Sequence, residues 1–219
     1  VTDGHSSTTY EYDRMNRLTL ERNGGLGKSG KYEYDGSGNM IRAEEEEYSG
    51  VTVNRTYVYD AKGRLTEVNE NRGNSEVKYE IGEYDLLENP CKYRGIVLEW
   101  KRGRNLTKYG NVSYEYDAGG IRQKKTVNGT QYSYWTEGGT IHREYRSNGV
   151  ALWYYYDSTG IEGFLYNGKR YHYFKNLQGD IVGIVDGNGK MAAEYRYDAW
   201  GNHKVYDGER RERRDTDFI

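Results

Sequence analysis

The chain has 219 residues, with 25 Tyr, three Phe, 29 Gly and a single Pro; 32 basic and 34 acidic side chains leave a net charge of −2. Balanced charge excludes a field that would draw the whole chain to nucleic acid or to an anionic membrane, and so much aromatic surface argues against disorder despite a mean hydropathy of −1.08. Cys91 is the only cysteine, which excludes an intrachain disulfide and favours neither redox compartment.

Residues 1–9 read as a leader or linker. The chain starts at Val1 rather than Met, as a section of a longer polypeptide would, so the lack of a signal peptide says nothing about location. From residue 10 a phrase recurs: YEYDRMNRL (10–18), YEYDGSGNM (32–40), YVYDAKGRL (57–65), YEYDAGGIR (114–122), YYYDSTGIE (154–162) and YRYDAWGNH (195–203). An internal repeat of this kind marks one supersecondary unit that cannot bury its apolar face alone.

The phrase has a physical reading. Residues two apart on a strand share a face, so Tyr10 and Tyr12, Tyr32 and Tyr34, Tyr57 and Tyr59, Tyr114 and Tyr116, and Tyr195 and Tyr197 each point together, as Tyr154 and Tyr156 do. The aspartate that follows (Asp13, Asp35, Asp60, Asp117, Asp157, Asp198) suits the first position of a turn, where its carboxylate accepts from backbone N–H groups. Gly38, Gly63, Gly160 and Gly201 then supply a left-handed residue, and Asn16 replaces the glycine in the first copy. A three-residue loop with a bulge places Tyr59 opposite Leu65, and by the same count Tyr12 opposite Leu18 and Tyr34 opposite Met40. The apolar partner is missing at Arg122, Glu162 and His203. Ile121 and Ile161 sit one position earlier, which leaves open a shorter loop or a lost rule.

Between these copies lie weaker members at Tyr84, followed by DLLENPC with no glycine, and at Tyr134, followed by WTEGG. EEEE (44–47) reads as an exposed strand and turn, VALWYYY (150–156) as a strand too short for a membrane helix, and GERRERRD (208–215) within residues 204–219 as a charged, solvated tail. No stretch has helical periodicity with caps. The expected fold is all-β: tandem hairpins forming a long, curled or spiralling antiparallel sheet, held by a layer of Tyr and Leu, with some hydroxyls reaching neighbouring backbone.

These phrases closely resemble the YD repeats of the Rhs family, which takes in bacterial Rhs and wall-associated toxins, toxin-complex shells and teneurins. The resemblance covers residues 10–203, and residues 171–203 are similar to the Rhs core. It implies a β-ribbon wound into a section of a shell that encloses a C-terminal toxin domain, with that cargo and the remaining shell as partners and a secreted or bacterial cell-surface location. Many members cleave themselves at a D-P-x-G-L phrase, which is absent up to RDTDFI (214–219).

Local chemistry adds little. GGLGKS (24–29) has Arg22 where a phosphate loop needs glycine and leads into a strand, so a hairpin loop is expected. DGNGK (186–190) has Tyr197 where a calcium loop needs glutamate. His5, His142, His172 and His203 lack metal-ligand spacing, and Cys91 reads as a structural thiol. No catalytic, metal or cofactor residue is expected. Three function classes remain: a non-enzymatic shell wall; a carbohydrate- or cell-surface-binding module in which Trp135, Trp153 and Trp200 stack on sugars; and an autoproteolytic enzyme. Open sheet edges also predict edge-to-edge self-association.

Overall fold

The computed structural model describes residues 7–47 and 49–213, and every regular element among them is a β-strand. β1 (Thr8–Tyr12), β2 (Leu18–Asn23), β3 (Lys28–Tyr34), β4 (Met40–Glu47), β5 (Thr52–Tyr59), β6 (Leu65–Arg72) and β7 (Ser75–Glu80) follow one another across the first sheet. The second sheet runs, also in chain order, through β8 (Lys92–Tyr93), β9 (Ile96–Lys101), β10 (Asn105–Tyr109), β11 (Val112–Tyr116), β12 (Arg122–Val127), β13 (Thr130–Glu137) and β14 (Thr140–Arg146). It continues through β15 (Ala151–Asp157), β16 (Gly160–Tyr166), β17 (Lys169–Lys175), β18 (Ile181–Asp186), β19 (Met191–Tyr197), β20 (His203–Asp207) and β21 (Glu212–Arg213). The pairings are antiparallel, and neither sheet closes into a barrel. The described residues fall into two compact units, one running to Leu98 and including Asp198–Gly201, the other holding Glu99–Tyr197 and the residues after Gly201.

One turn chemistry recurs along the chain. At Asp60 the N–H donates to the Arg64 carbonyl (2.9 Å), the Gly63 N–H donates back to the Asp60 carbonyl (2.9 Å), and Oδ1 accepts from the N–H groups of Lys62 and Arg64 (both 2.9 Å). Oδ2 takes the Arg64 Nε at 2.7 Å. Gly63 has φ 77°, and Asn16 fills the equivalent place with φ 61°. Tyr59 lies opposite Leu65, Tyr12 opposite Leu18 and Tyr34 opposite Met40, each beside a register shift. The loop count therefore sets the register correctly in all three.

The copies without the apolar partner divide into two kinds. Tyr116 pairs with Arg122 and Tyr197 with His203, so these loops keep their length and only the side chain has changed. Tyr156 pairs with Ile161 and Asp157 with Gly160, a loop one residue shorter.

The turn also occurs where the sequence lacks its phrase. Asp85 binds Leu87 N (2.8 Å) and Asn89 N (2.9 Å), and Glu88 adopts φ 64° where glycine was expected. Asn176 plays the aspartate's part, its Oδ1 accepting from Gln178 N and Asp180 N. Asp207 closes a further turn with Arg210 at φ 62°. This last closure carries pairing to Arg213, past residue 203 and into the segment expected to be solvated tail. Asp207 there binds both Arg211 and Arg213, which converts the charge run into a hairpin. Residues 1–6 and 214–219 of the expected leader and tail lie outside the described residues.

Successive hairpins are tied by tyrosine hydroxyls. The second Tyr of a copy donates to the first or second carbonyl of the even strand in the preceding hairpin: Tyr34 to Leu18 (2.9 Å), Tyr59 to Met40 (2.8 Å), Tyr84 to Leu65 (2.6 Å), Tyr116 to Leu106 (2.7 Å), Tyr156 to Ile141 (2.5 Å) and Tyr197 to Ile181 (2.8 Å). Arg17 and Arg64, already bound to their own aspartates, lie 4.9 and 4.5 Å from the ring centroids of Tyr34 and Tyr84. In six places a turn is thus clamped to the next.

Two substitutions test this scheme. Nothing lies within 4 Å of a Cβ built on Gly63, so Gly63→Val meets only the backbone penalty of a left-handed β-branched residue; it should destabilise the protein by roughly 1 to 2 kcal/mol. An unchanged urea midpoint would contradict the turn. Tyr84→Phe removes one hydroxyl hydrogen bond and should cost about 1 kcal/mol in the same measurement.

Candidate functional site

In the first unit strand alternation brings charges, not only Tyr and Leu, to the covered face. β3, β4, β5 and β6 align Gly30 with Glu45 and Val53 in one cross-strand row, and Tyr32, Ala43, Arg55 and Glu70 in the next. Tyr32, Ala43, Val53 and Val68 are buried there. Tyr32 folds back over Gly30, where a Cβ would meet its hydroxyl. Glycine is therefore needed there for space rather than for φ.

Through these rows runs an alternating line of ions. Asp198 Oδ2 holds Lys28 Nζ at 2.7 Å, Lys28 holds Glu45 at 2.9 Å, Glu45 holds Arg55 at 2.6 Å, Arg55 holds Glu70 at 2.6 Å, and Glu70 lies 3.6 Å from Arg94. The Asp198 side chain is 1% exposed. Three acids against three bases make the line neutral, which is the condition under which buried charge is tolerated. Glu21, wholly buried, accepts from Asn23 Nδ2 (3.0 Å) and from Ala199 N (3.1 Å). Glu45 thus departs from the exposed reading of EEEE. Lys28, the lysine of the glycine-rich stretch, is held on a strand by two carboxylates.

Burial alone would push the Glu45 carboxyl up, but hydrogen bonds from Arg55 and Lys28 outweigh it and hold the group below its ordinary range. Burial would likewise lower the Lys28 ammonium, and the bonds to Asp198 and Glu45 raise it instead. The turn carboxylates Asp13, Asp35, Asp60, Asp85, Asp157, Asp186 and Asp207 are all held low, chiefly by hydrogen bonds from residues of their own turns.

In the second unit the covered face is aromatic. Phe164 and Leu152 are buried; Phe164 stacks on Tyr171 at 5.1 Å and 13° and meets Tyr154 at 6.5 Å. Burial pushes the Tyr134 hydroxyl up to about 12 and raises Tyr154 and Tyr173 further.

The opposite face holds Trp135 and Trp153. They flank Arg143 in a single cross-strand row, Trp135 opposite Arg143 and Arg143 opposite Trp153. Trp200 belongs to the first unit, where it meets the Tyr32 ring edge-on at 5.0 Å and 79°. His172 lies 3.3 Å from Glu162, His203 packs on Tyr195 and Tyr197, and His5 is outside the described residues. Cys91 is a half-buried free thiol. Among the described residues no three His, Cys, Asp or Glu side chains are grouped to hold a metal.

Sequence reasoning missed Lys28, Glu45, Arg55 and Glu70 as a set, because only the register shows that they share a face. It also missed the Arg143 row. The turns at Asp85, Asn176 and Asp207 had a readable signal: an Asp or Asn one or two positions after an aromatic, with a polar residue four positions on.

The sequence model of the Teneurin YD-shell family matches residues 47–162, more than half of the chain. The tRNA nuclease WapA of Bacillus subtilis (strain 168) is 34% identical over 203 residues, covering 87% of this chain, and the tRNA3(Ser)-specific nuclease WapA of Bacillus spizizenii agrees to the same extent. The chain spans 8% of the length of each. Among solved structures, the Tc holotoxin pore of Photorhabdus luminescens superimposes with a TM-score of 0.55 at 16% identity, over 90% of this chain and 13% of the other. TcdB2–TccC3 without its hypervariable C-terminal region gives 0.56 at 15% identity, over 91% and 13%. At those identities the likeness is one of fold.

Because the folded-state pKa of Glu45 lies below its unfolded value of 4.5, its stabilisation is present at neutral pH and lost as pH falls below that value. Lys28 is raised above 10.5, so its contribution is lost as pH climbs past that point. The urea midpoint should therefore be flat between these limits and drop on both sides. Glu45→Gln should shrink the acid loss, the remainder belonging to the turn aspartates. An acid limb identical in wild type and variant would disprove the role of Glu45.

Proposed function

The chain belongs to the teneurin YD-shell family, and from that premise we propose that it is a section of a shell wall that encloses a toxic C-terminal domain of its parent polypeptide and takes part in delivering it. The observation that carries this reading is the clamp repeated from hairpin to hairpin, in which each Tyr hydroxyl binds the preceding hairpin's backbone. Such a clamp propagates a continuous sheet rather than building a pocket. The carboxylates of the repeats are spent on closing turns, which fits a wall with no catalytic duty of its own.

In this proposal the nuclease activity named for the Bacillus proteins belongs to regions outside the matched section. The partners are the cargo and the rest of the shell, joined at the outer strands such as β1 and β21, and the assembly acts outside the cell or at the bacterial surface.

Cryo-electron microscopy of the full-length protein containing these residues should reveal strands lining a closed chamber; a solid globule without a chamber would refute the proposal. The purified chain, incubated for days, should keep its 25.5 kDa mass. A discrete new fragment in the mass spectrum would replace the structural reading with the autoproteolytic one.

A further inference from the structure

We propose that Lys28 and Asp198 condense into an isopeptide bond, with Glu45 as the group that moves the protons. All three residues belong to the first unit. Lys28 Nζ lies 2.7 Å from Asp198 Oδ2 and 2.9 Å from Glu45 Oε1, and the three side chains are 16%, 1% and 12% exposed in that order. An amine a hydrogen-bond length from a carboxyl oxygen stands one bond from the carbon it attacks, the proximity that makes a bimolecular step unimolecular. Other lysine ion pairs, such as Lys31 with Glu44 and Lys108 with Glu99, are open to water.

The surroundings give each carboxylate a separate part. Glu45 Oε2 is bonded to Arg55 at 2.6 Å, which keeps Glu45 anionic and a poor electrophile while Oε1 is left to accept a proton. Asp198 Oδ1 accepts from the Trp200 N–H at 2.9 Å, a backbone donor already aimed at the oxygen on which charge gathers during attack. Glu21, wholly buried, anchors the same turn through the Ala199 N–H at 3.1 Å. The Tyr32 ring lies against these acids: burial first, and then the charges of Glu45, Glu21 and Asp198, push its hydroxyl up. At Asp13, Asp60 and Asp207 the carboxylate meets an arginine of its own turn, whose delocalised guanidinium is no nucleophile. Asp198 instead meets an amine from 170 positions away.

The step balances without an outside reactant. The Lys28 ammonium passes one proton to Asp198 Oδ2, leaving an amine and a carboxylic acid. Nζ bonds to Asp198 Cγ, Glu45 takes a second proton from Nζ and hands it to Oδ2, and the Cγ–Oδ2 bond breaks as water departs. One charge of each sign disappears, so the rest of the line, Glu45, Arg55, Glu70 and Arg94, stays neutral. Burial works to lower the Lys28 pKa and the two carboxylates outweigh it. The reactive neutral pair is therefore a minor form, and closure is slow. The chemistry acts once, on the chain itself, and turns over no substrate.

The test follows freshly purified chain, kept folded below its thermal midpoint, by intact mass and by tryptic digestion. The mass should fall by one water, and the digest should yield one pair of peptides joined through Lys28 and Asp198. Lys28→Arg, which keeps the charge but cannot form the bond, and Asp198→Ala should both retain their full mass. Glu45→Gln should slow closure by on the order of a hundredfold, whereas Glu46→Gln, on the other face of β4, should close as wild type does. Closure should also abolish the alkaline stability loss assigned to the Lys28 ammonium and raise the thermal midpoint, since it shortens the unfolded chain's reach across a long loop. Circular dichroism establishes that each variant is folded, and Lys28→Arg alone decides the outcome if Asp198→Ala does not fold. The proposal falls if folded wild type keeps its full mass, or if Lys28 is joined to another carboxylate. It falls equally if the water is lost at an Asp-Gly step such as Asp35–Gly36 or Asp207–Gly208 with no peptides joined, or if Glu45→Gln closes at the wild-type rate. A negative result leaves the wall reading untouched, since that rests on the tyrosine clamps and not on this bond.

Discussion

The aspartate-closed turn is the constraint from which the rest of the molecule follows. A single carboxylate, as at Asp60, satisfies two backbone N–H groups and one side chain while the backbone closes on itself, so a sharp reversal is obtained with few orphaned polar groups. Closure fixes the register of the hairpin, and register decides which side chains share a face. Once Tyr59 stands opposite Leu65, the positions of Val53, Arg55 and Tyr57 are determined as well. The hydroxyl clamp then fixes the next hairpin relative to the last, and a chain with few aliphatic side chains gains order that a thin apolar layer would not supply alone.

The two units solve the problem of the covered face differently. In the first, Val53, Val68 and Tyr32 share it with an ion line running from Asp198 to Arg94, and the line is costly to interrupt because each member satisfies its neighbour. In the second, Phe164, Tyr154, Tyr171 and Tyr173 fill the same role with rings, and isolated pairs such as Glu144 with Arg146 replace the line. The second solution is more hydrophobic. The first ties part of its stability to the charge states of Glu45 and Lys28.

Much of the fold was legible in the sequence, because the YxYD phrase encodes both strand alternation and turn. The all-β class, the hairpin register at Tyr12, Tyr34 and Tyr59, and the shell-family resemblance all came from that phrase. What was not legible had a common cause, the substitution of one side chain for another that makes the same bonds. Glu88 takes the left-handed position of a glycine, and Asn176 takes the place of an aspartate. Glu45 looked exposed because it stands among four glutamates, and only its cross-strand neighbours reveal that it faces inward. The Arg143 row was invisible for a related reason: Trp135 and Trp153 lie 18 positions apart in the chain and meet only through two registers and a bulge.

The clamped closures all lie along one margin of each sheet, where odd-numbered strands hand over to even-numbered ones. Along the opposite margin the reversals are of several kinds. Gly73–Asn74, Gly110–Asn111, Asn128–Gly129 and Asn167–Gly168 are two-residue links, whereas the closures at Asp186 and Asp207 are longer. The six hydroxyl clamps fall on none of these. Such a ribbon has a stitched hem and a free one, and foreign peptides grafted into the free hem should leave the weave intact.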